Sequence, residues 1–203
     1  MTSADELLSA SPSLALWHAF EPTVKAELFS TALITPRGLL LIDPIPLSKV
    51  ARKDLLALGR VAGIIVTNAN HWRASADWAR QLHVPVSAHA SLAPTAPCPF
   101  TPVHHREKIF DAVEVIEIPG AAPGEIALHD PDHGGSIIVG DALIHFDPYG
   151  FTFLPAKYCT NYKEMLRSLR ELRNYRAKRI FFAHGTPILS KAGERLEHLL
   201  NDD

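Results

Sequence analysis

One segment, Gly63 to His89 (GIIVTNANHWRASADWARQLHVPVSAH), constrains the fold of this chain more than any other. It opens on the β-branched run Ile64, Ile65 and Val66 and breaks at the polar cluster Thr67 to Arg73. A helical pattern follows, with Ala74, Trp78 and Leu82 on one face, and Val84 to Val86 returns to strand. In a strand, loop, helix, strand unit of this kind, the loop at the carboxyl end of the first strand is where open α/β sheets bind ligands. Asn68, Asn70, His71, Trp72 and Arg73 are therefore the first candidate pocket residues. The same residues also suit a plain structural role, because a polar loop that opens a helix needs turn formers and caps.

On the amino-terminal side, Leu14 to Phe20, Val24 to Ile34 and Leu39 to Ile42 are apolar or β-rich runs separated by Glu21-Pro22 and by the turn Thr35-Pro36-Arg37-Gly38, which suggests a meander. Asp43-Pro44 closes the third run. Ser48 then caps a helix whose core face carries Ala51, Leu55 and Leu58, with Gly59 placed to end it. On the carboxyl side, Ser91 to Pro102 is rich in Ala and Pro and is expected to be loop. Val113 to Ile118, the turn Pro119 to Gly124 (PGAAPG) and Glu125 to His129 read as antiparallel strands, and Asp130 to Gly135 leads into the buried run Ser136 to Val139. Asn161 to Arg173 is the clearest helix, with Met165, Leu166, Leu169 and Leu172 on one face. Arg179 to Ala183 is a last strand that delivers His184-Gly185, and Ser190 to Leu200 is a terminal helix.

Composition narrows the partners. The 203 residues carry 47% hydrophobic and 21% charged residues, as expected of a single globular domain spanning 1–203. A formal net charge of −2 with no Lys/Arg block argues against nucleic acid and against a polybasic membrane patch, leaving a small molecule or a protein as the partner. The amino terminus is acidic where a secretory signal is basic, and no apolar run approaches a membrane span, so a cytoplasmic location is expected. Cys98 and Cys159 show neither disulfide nor zinc-cage spacing.

Three polar positions fall at strand ends: the loop Asn68 to Arg73, Asp141 and His184. Their order, with the strand GLLLIDP ending in Asp43, the PGAAPGE turn, VGDALI and FFAHG, resembles the metallo-β-lactamase fold, including glyoxalase II-like hydrolases. That resemblance covers nearly the whole chain. It implies a four-layer αββα sandwich of the α/β (α+β) class, with Asp43, Thr67, Asp141 and His184 converging at one sheet edge.

The chemistry departs from the resemblance. The family motif Thr-His-X-His-X-Asp-His places its four ligand positions on Asn68, Asn70, Trp72 and Arg73, and the histidine of its Pro-Gly-His turn falls on Ala121. Asp141 and His184 match the bridging aspartate and the last histidine. Two of seven ligands cannot assemble a catalytic zinc, which needs three protein donors and an open position. Asn is a poor zinc ligand and Arg repels a cation.

The expectation is therefore a degenerate site with no metal or other cofactor, in a binding or regulatory pseudoenzyme that retains the hydrolase scaffold. Arg73 is expected to fill the vacant metal volume and pair with Asp141. Two alternatives stay open. One is an ester or thioester hydrolase that uses Asp141 and His184 as catalytic residues, through acid/base chemistry or a displaced zinc or other divalent-metal site on His71, Asp141 and His184. The other is a structural subunit. Ligand and oligomeric state are not legible.

Overall fold

The structure, a computed structural model, describes residues 1–201. Strands β1 (Leu8–Ser11), β2 (Leu14–Glu21), β3 (Ala26–Thr35) and β4 (Gly38–Ile42) form the expected antiparallel meander. Helix α1 (Lys49–Ala57) follows, capped by the Ser48 hydroxyl, which accepts from the Ala51 amide. Then come β5 (Val61–Val66), α2 (Ser75–Leu82), β6 (Val86–His89) and β7 (Thr101–Val103), with β4 through β7 pairing in parallel. These seven strands form one sheet in sequence order.

The second sheet takes β8 (Lys108–Ile109), β9 (Val113–Glu117), β10 (Ile126–Asp130) and β11 (Ser136–Val139) as antiparallel neighbours. A separate hairpin, β12 (Leu143–Phe146) with β13 (Gly150–Phe153), precedes α3 (Tyr162–Leu169). Strand β14 (Arg179–Phe182) joins the second sheet parallel to β11, and α4 (Ala192–Asn201) ends the described chain.

Side-chain alternation explains the layering. Successive strand residues face opposite sides of a sheet. In β4, Leu39 and Leu41 pack under α1 and α2 with Leu55 and Trp78, while Leu40 and Ile42 face the other way. There they meet Val113, Val115, Leu128 and Phe181 of the second sheet. Ile64 and Val66 against Ile65 repeat the division in β5. The outer face of the second sheet is covered by Met165, Leu169 and Leu196 of α3 and α4. The result is helix, sheet, sheet, helix, the αββα sandwich expected from the resemblance.

Four details differ from the sequence reading. Ser91 to Pro102 is not all loop: a 3-10 turn spans Ala90–Thr95, and Thr101 opens β7. That strand lies on the sheet edge, where Pro102 is tolerated because its missing N–H faces no partner strand. Leu58 is 45% exposed, since the helix has ended before it can turn inward. The α-helix from Asn161 stops at Leu169 and tightens into a 3-10 turn at Arg170–Asn174. Strands β1, β8, β12 and β13, of two to four residues, are too short to show a period. Among the described residues no helix is long and apolar enough to cross a membrane.

Candidate active site

The carboxyl ends of β4, β5 and β14 and the turn after β11 meet at one edge of the sandwich and carry Asp43, Thr67, His184 and Asp141 respectively. Asp43 is buried. Its Oδ1 accepts from the Thr67 amide at 2.8 Å, and its Oδ2 accepts from the Thr67 hydroxyl at 2.5 Å. Asn68 then starts a short 3-10 turn, Ala69–His71, whose first free amide, that of Asn70, donates to Asn68 Oδ1 at 2.8 Å. In a 3-10 turn residues three apart lie on the same side. Asn68 and His71 therefore both point into the site, and the position that the family motif treats as a spacer supplies an inward histidine.

His71 is fixed through its Nδ1. Nδ1 lies 2.9 Å from Asp43 Oδ2, an acceptor only, so Nδ1 carries the hydrogen and Nε2 faces Asp141. His184 repeats the arrangement: its Nδ1 donates to the Glu27 carbonyl at 3.1 Å, and its Nε2 faces the same carboxylate. The two Nε2 atoms lie 3.1 Å and 3.3 Å from Asp141 Oδ1. The other oxygen, Asp141 Oδ2, accepts from the amides of Asn68 at 3.2 Å and Asn70 at 3.1 Å.

Sequence reasoning missed Glu125. Its Oε1 accepts from the Ala142 amide at 3.0 Å and its Oε2 from Asn68 Nδ2 at 2.7 Å, so the amide of Asn68 joins two carboxyl groups. Gly140 makes the space: a Cβ there meets Glu125 Oε1 and Thr67 Oγ1 at 2.7 Å. The available signal was an acidic residue between the PGAAPG turn and an apolar strand.

The expected pairing of Arg73 with Asp141 is not found. Among the described residues no carboxylate lies within ion-pair distance of this guanidinium. It donates instead to the carbonyls of Phe29, Asp43 (3.1 Å) and Ala183 (3.4 Å). Three main-chain acceptors, one inside β3 and two just past the ends of β4 and β14, outcompete one carboxylate already faced by two imidazoles and held by two amides. Trp72 turns away to pack edge-on against Phe100, and Ala121 is buried in the apolar layer under α3. Neither lines the cleft. Asn70, His71, Arg73, Asp141 and His184 do, at the base of a cavity of about 920 Å³, while Asn68 lies behind them.

Charge follows from this packing. Burial opposes charge on His71, but the carboxylates of Asp141 and Asp43 outweigh burial and the nearby Arg73, raising its pKa to about 9. Burial likewise opposes charge on Asp141, yet His71 and His184 hold it well below the ordinary carboxylate value. Glu125 moves up to about 8, through burial and the charge of Asp141.

A pH dependence follows. Glu125 binds its proton more tightly in the folded state, about 8 against an ordinary 4.5, so its contribution to stability is full below pH 4.5 and lost as pH rises through 8. His71, at about 9 against 6.5, contributes fully below 6.5 and loses that contribution through 9. In the presence of chelator the protein is expected to lose stability steadily from pH 6.5 to 9 in urea denaturation. Glu125→Gln, which mimics the protonated acid, is expected to flatten the part of that loss that falls below pH 8. A flat wild-type profile contradicts the assignment.

The residues present do not fit a two-ion centre, because Asn68, Asn70, Trp72, Arg73 and Ala121 offer no suitable ligand there. They do fit one ion. His71 Nε2, Asp141 and His184 Nε2 place their ligand atoms within 4.8 Å of one another. His71 Nε2 is buried, and despite its 3.1 Å approach to Asp141 its N–H direction misses the oxygen, leaving it without a hydrogen-bond partner. The 3.1 and 3.3 Å separations match a tetrahedron edge, about 3.3 Å for bonds of about 2.0 Å. Both outer nitrogens are held by oxygen acceptors, the arrangement that orients metal-binding histidines.

Comparison with known proteins agrees with this architecture. A profile of the metallo-beta-lactamase superfamily matches residues 8–202. No match was found among proteins of curated function. Among solved structures, DIM-1 metallo-beta-lactamase superposes with a TM-score of 0.75 at 14% identity, covering 98% of this chain and 99% of that one. A metallo-beta-lactamase from Erythrobacter litoralis, solved with beta mercaptoethanol in its active site, gives 0.75 at 13% identity over 97% and 96% of the two chains. TTHA1623 in a di-iron-bound form gives 0.64 at 22% identity over 84% and 92%. Identities this low speak to fold alone.

Proposed function

Because the chain belongs to the metallo-β-lactamase superfamily, we propose that it is an ester or thioester hydrolase whose cleft holds one divalent ion on His71, Asp141 and His184. The observation that carries this reading is the pair of Nε2 atoms, each fixed by an acceptor behind its ring and turned to one side of Asp141 Oδ1. When bound, such an ion supplies a Lewis acid to polarise the carbonyl under attack.

The remaining work belongs to the chain's own groups. Asp43 keeps the His71 tautomer and makes the ring a better donor. Asn68 and Asn70 hold Asp141 Oδ2 and leave Oδ1 toward the cleft. The apolar walls at Leu28, Ile144 and Leu154 exclude water from one side of a bound substrate.

A metal-free binding protein is the second reading, and His71 favours it. As an imidazolium between Asp43 and Asp141 it compensates both buried carboxylates without an ion. The cavity speaks against a purely structural subunit.

Calorimetric titration of untagged, chelator-stripped protein with zinc, manganese and ferrous iron decides between them. One ion per chain is expected, with affinity reduced about 100-fold or more in His71→Ala. Failure of all three ions to bind the folded protein rejects the hydrolase reading and leaves the metal-free one.

A further inference from the structure

Arg73 lies in the floor of the cleft with His71, Asp141 and His184, yet no carboxylate among the described residues is in ion-pair contact with it. A guanidinium has five N–H donors. Three are used: two on one terminal nitrogen, to the carbonyls of Phe29 and Asp43, and one on the other, to Ala183. The second hydrogen of that other nitrogen and the Nε hydrogen have no acceptor among the described residues. The backbone reaches this position through a left-handed residue, with φ of 40° at Arg73 itself, a conformation that residues with a side chain, asparagine and aspartate aside, seldom adopt.

The choice of anchors matters electrically. Carbonyl oxygens fix the guanidinium in place without forming an ion pair, so its charge is offset only at a distance, by Asp43 and Asp141, whereas a carboxylate anchor would cancel it by contact. The two acids in electrostatic reach, Asp43 and Asp141, are both engaged by His71, and Asp141 also by His184. A rigid, charged, planar fork with two spare donors at the bottom of a cavity is the arrangement that binds an oxyanion.

We propose that Arg73 is the anion receptor of this cleft. It takes the carboxylate or phosphate oxygens of a small organic anion whose apolar part rests on Leu28, Ile144 and Leu154. Such a substrate places its scissile ester or thioester beside His71, Asp141 and His184. Only that last placement rests on the hydrolase reading; anion capture by Arg73 does not need a metal.

The test is an NMR titration of the full chain labelled with [15N]arginine, once with chelator and once with zinc, against inorganic phosphate and against benzoate. The Nε–H resonance of Arg73, assigned through its backbone, is expected to shift saturably in both forms. The stronger response of the two identifies which oxyanion the site prefers. Arg73→Lys, which keeps the charge but loses the planar fork, is expected to weaken binding about tenfold. A silent Arg73 resonance with both anions in the wild-type protein overturns the proposal whether or not the variant folds. An anion that binds only the zinc-loaded form and leaves Arg73 unperturbed also overturns it. If zinc fails to bind while Arg73 still responds, the hydrolase reading falls and the anion receptor stands.

Discussion

Asp43→Ala is expected to lower the unfolding free energy by about 3–5 kcal/mol in the chelated protein, the usual cost of removing one partner from a buried ion pair. Asp43 is 2% exposed and accepts from three donors: the Thr67 amide, the Thr67 hydroxyl and His71 Nδ1. Truncation strands all three in the interior, where an unmet donor costs about 1–3 kcal/mol. It also leaves the imidazolium with Asp141 as its only ion-pair partner among the described residues. Urea denaturation measures the loss, and a change below about 1 kcal/mol would contradict the network described. Asp43→Asn is the control for shape. Its amide still has an acceptor oxygen but presents N–H donors to others, so it is expected to recover only a fraction of the loss.

Gly185→Ala carries the second large effect, and it acts on His184 through the backbone. A Cβ at Gly185 falls 2.0 Å from the His145 carbonyl oxygen, against main chain that cannot swing aside. The residue also has φ of +112°, a conformation that disfavours a side chain on its own account. Overpacking and strain together are expected to cost about 3 kcal/mol or more. The bridge between His145 and Gly185, and the hydrogen bond from the His145 amide to the His184 carbonyl, must open. His184 then leaves Asp141, so ion affinity is expected to fall with stability. Gly150→Ala separates clash from backbone strain, since φ is +65° there but no atom lies within 4 Å of the added methyl. If Gly185→Ala costs no more than Gly150→Ala, the close approach at His145 is not as described.

Much of this architecture is legible in the chain because both sheets are apolar on both faces. Runs such as Leu39–Ile42 and Ile64–Val66 announce buried strands whichever way they point. Asp141 and His184 are legible for a related reason: each follows an apolar run, so its polarity is confined to the sheet edge. His71 is different. Its inward direction depends on one 3-10 turn that Asn68 caps, and counting motif positions along the sequence brings in Asn68, Asn70 and Arg73 but passes over His71 and takes Trp72, which packs on Phe100. Arg73 fails for another reason. Comparing side-chain charges leaves out main-chain carbonyls, and these are the acceptors it chose. Glu125 is invisible locally because its partners, Asn68 and Ala142, are 57 and 17 residues away.

Asn68 has a consequence for descent. Its one side chain caps the Ala69–His71 turn and bridges Glu125 to Asp141. A lineage that began here and placed histidine at this position would not gain a ligand without cost. It would lose the cap, strand the carboxyl group of Glu125 and crowd the space that Gly140 leaves open. Arg73 sets a similar trap, since a histidine in its place abandons three carbonyls at once. Substitutions that share partners in this way do not act additively. Single substitutions toward a two-ion centre therefore remove the cap, the bridge and the carbonyl anchors before the second site has a full ligand set.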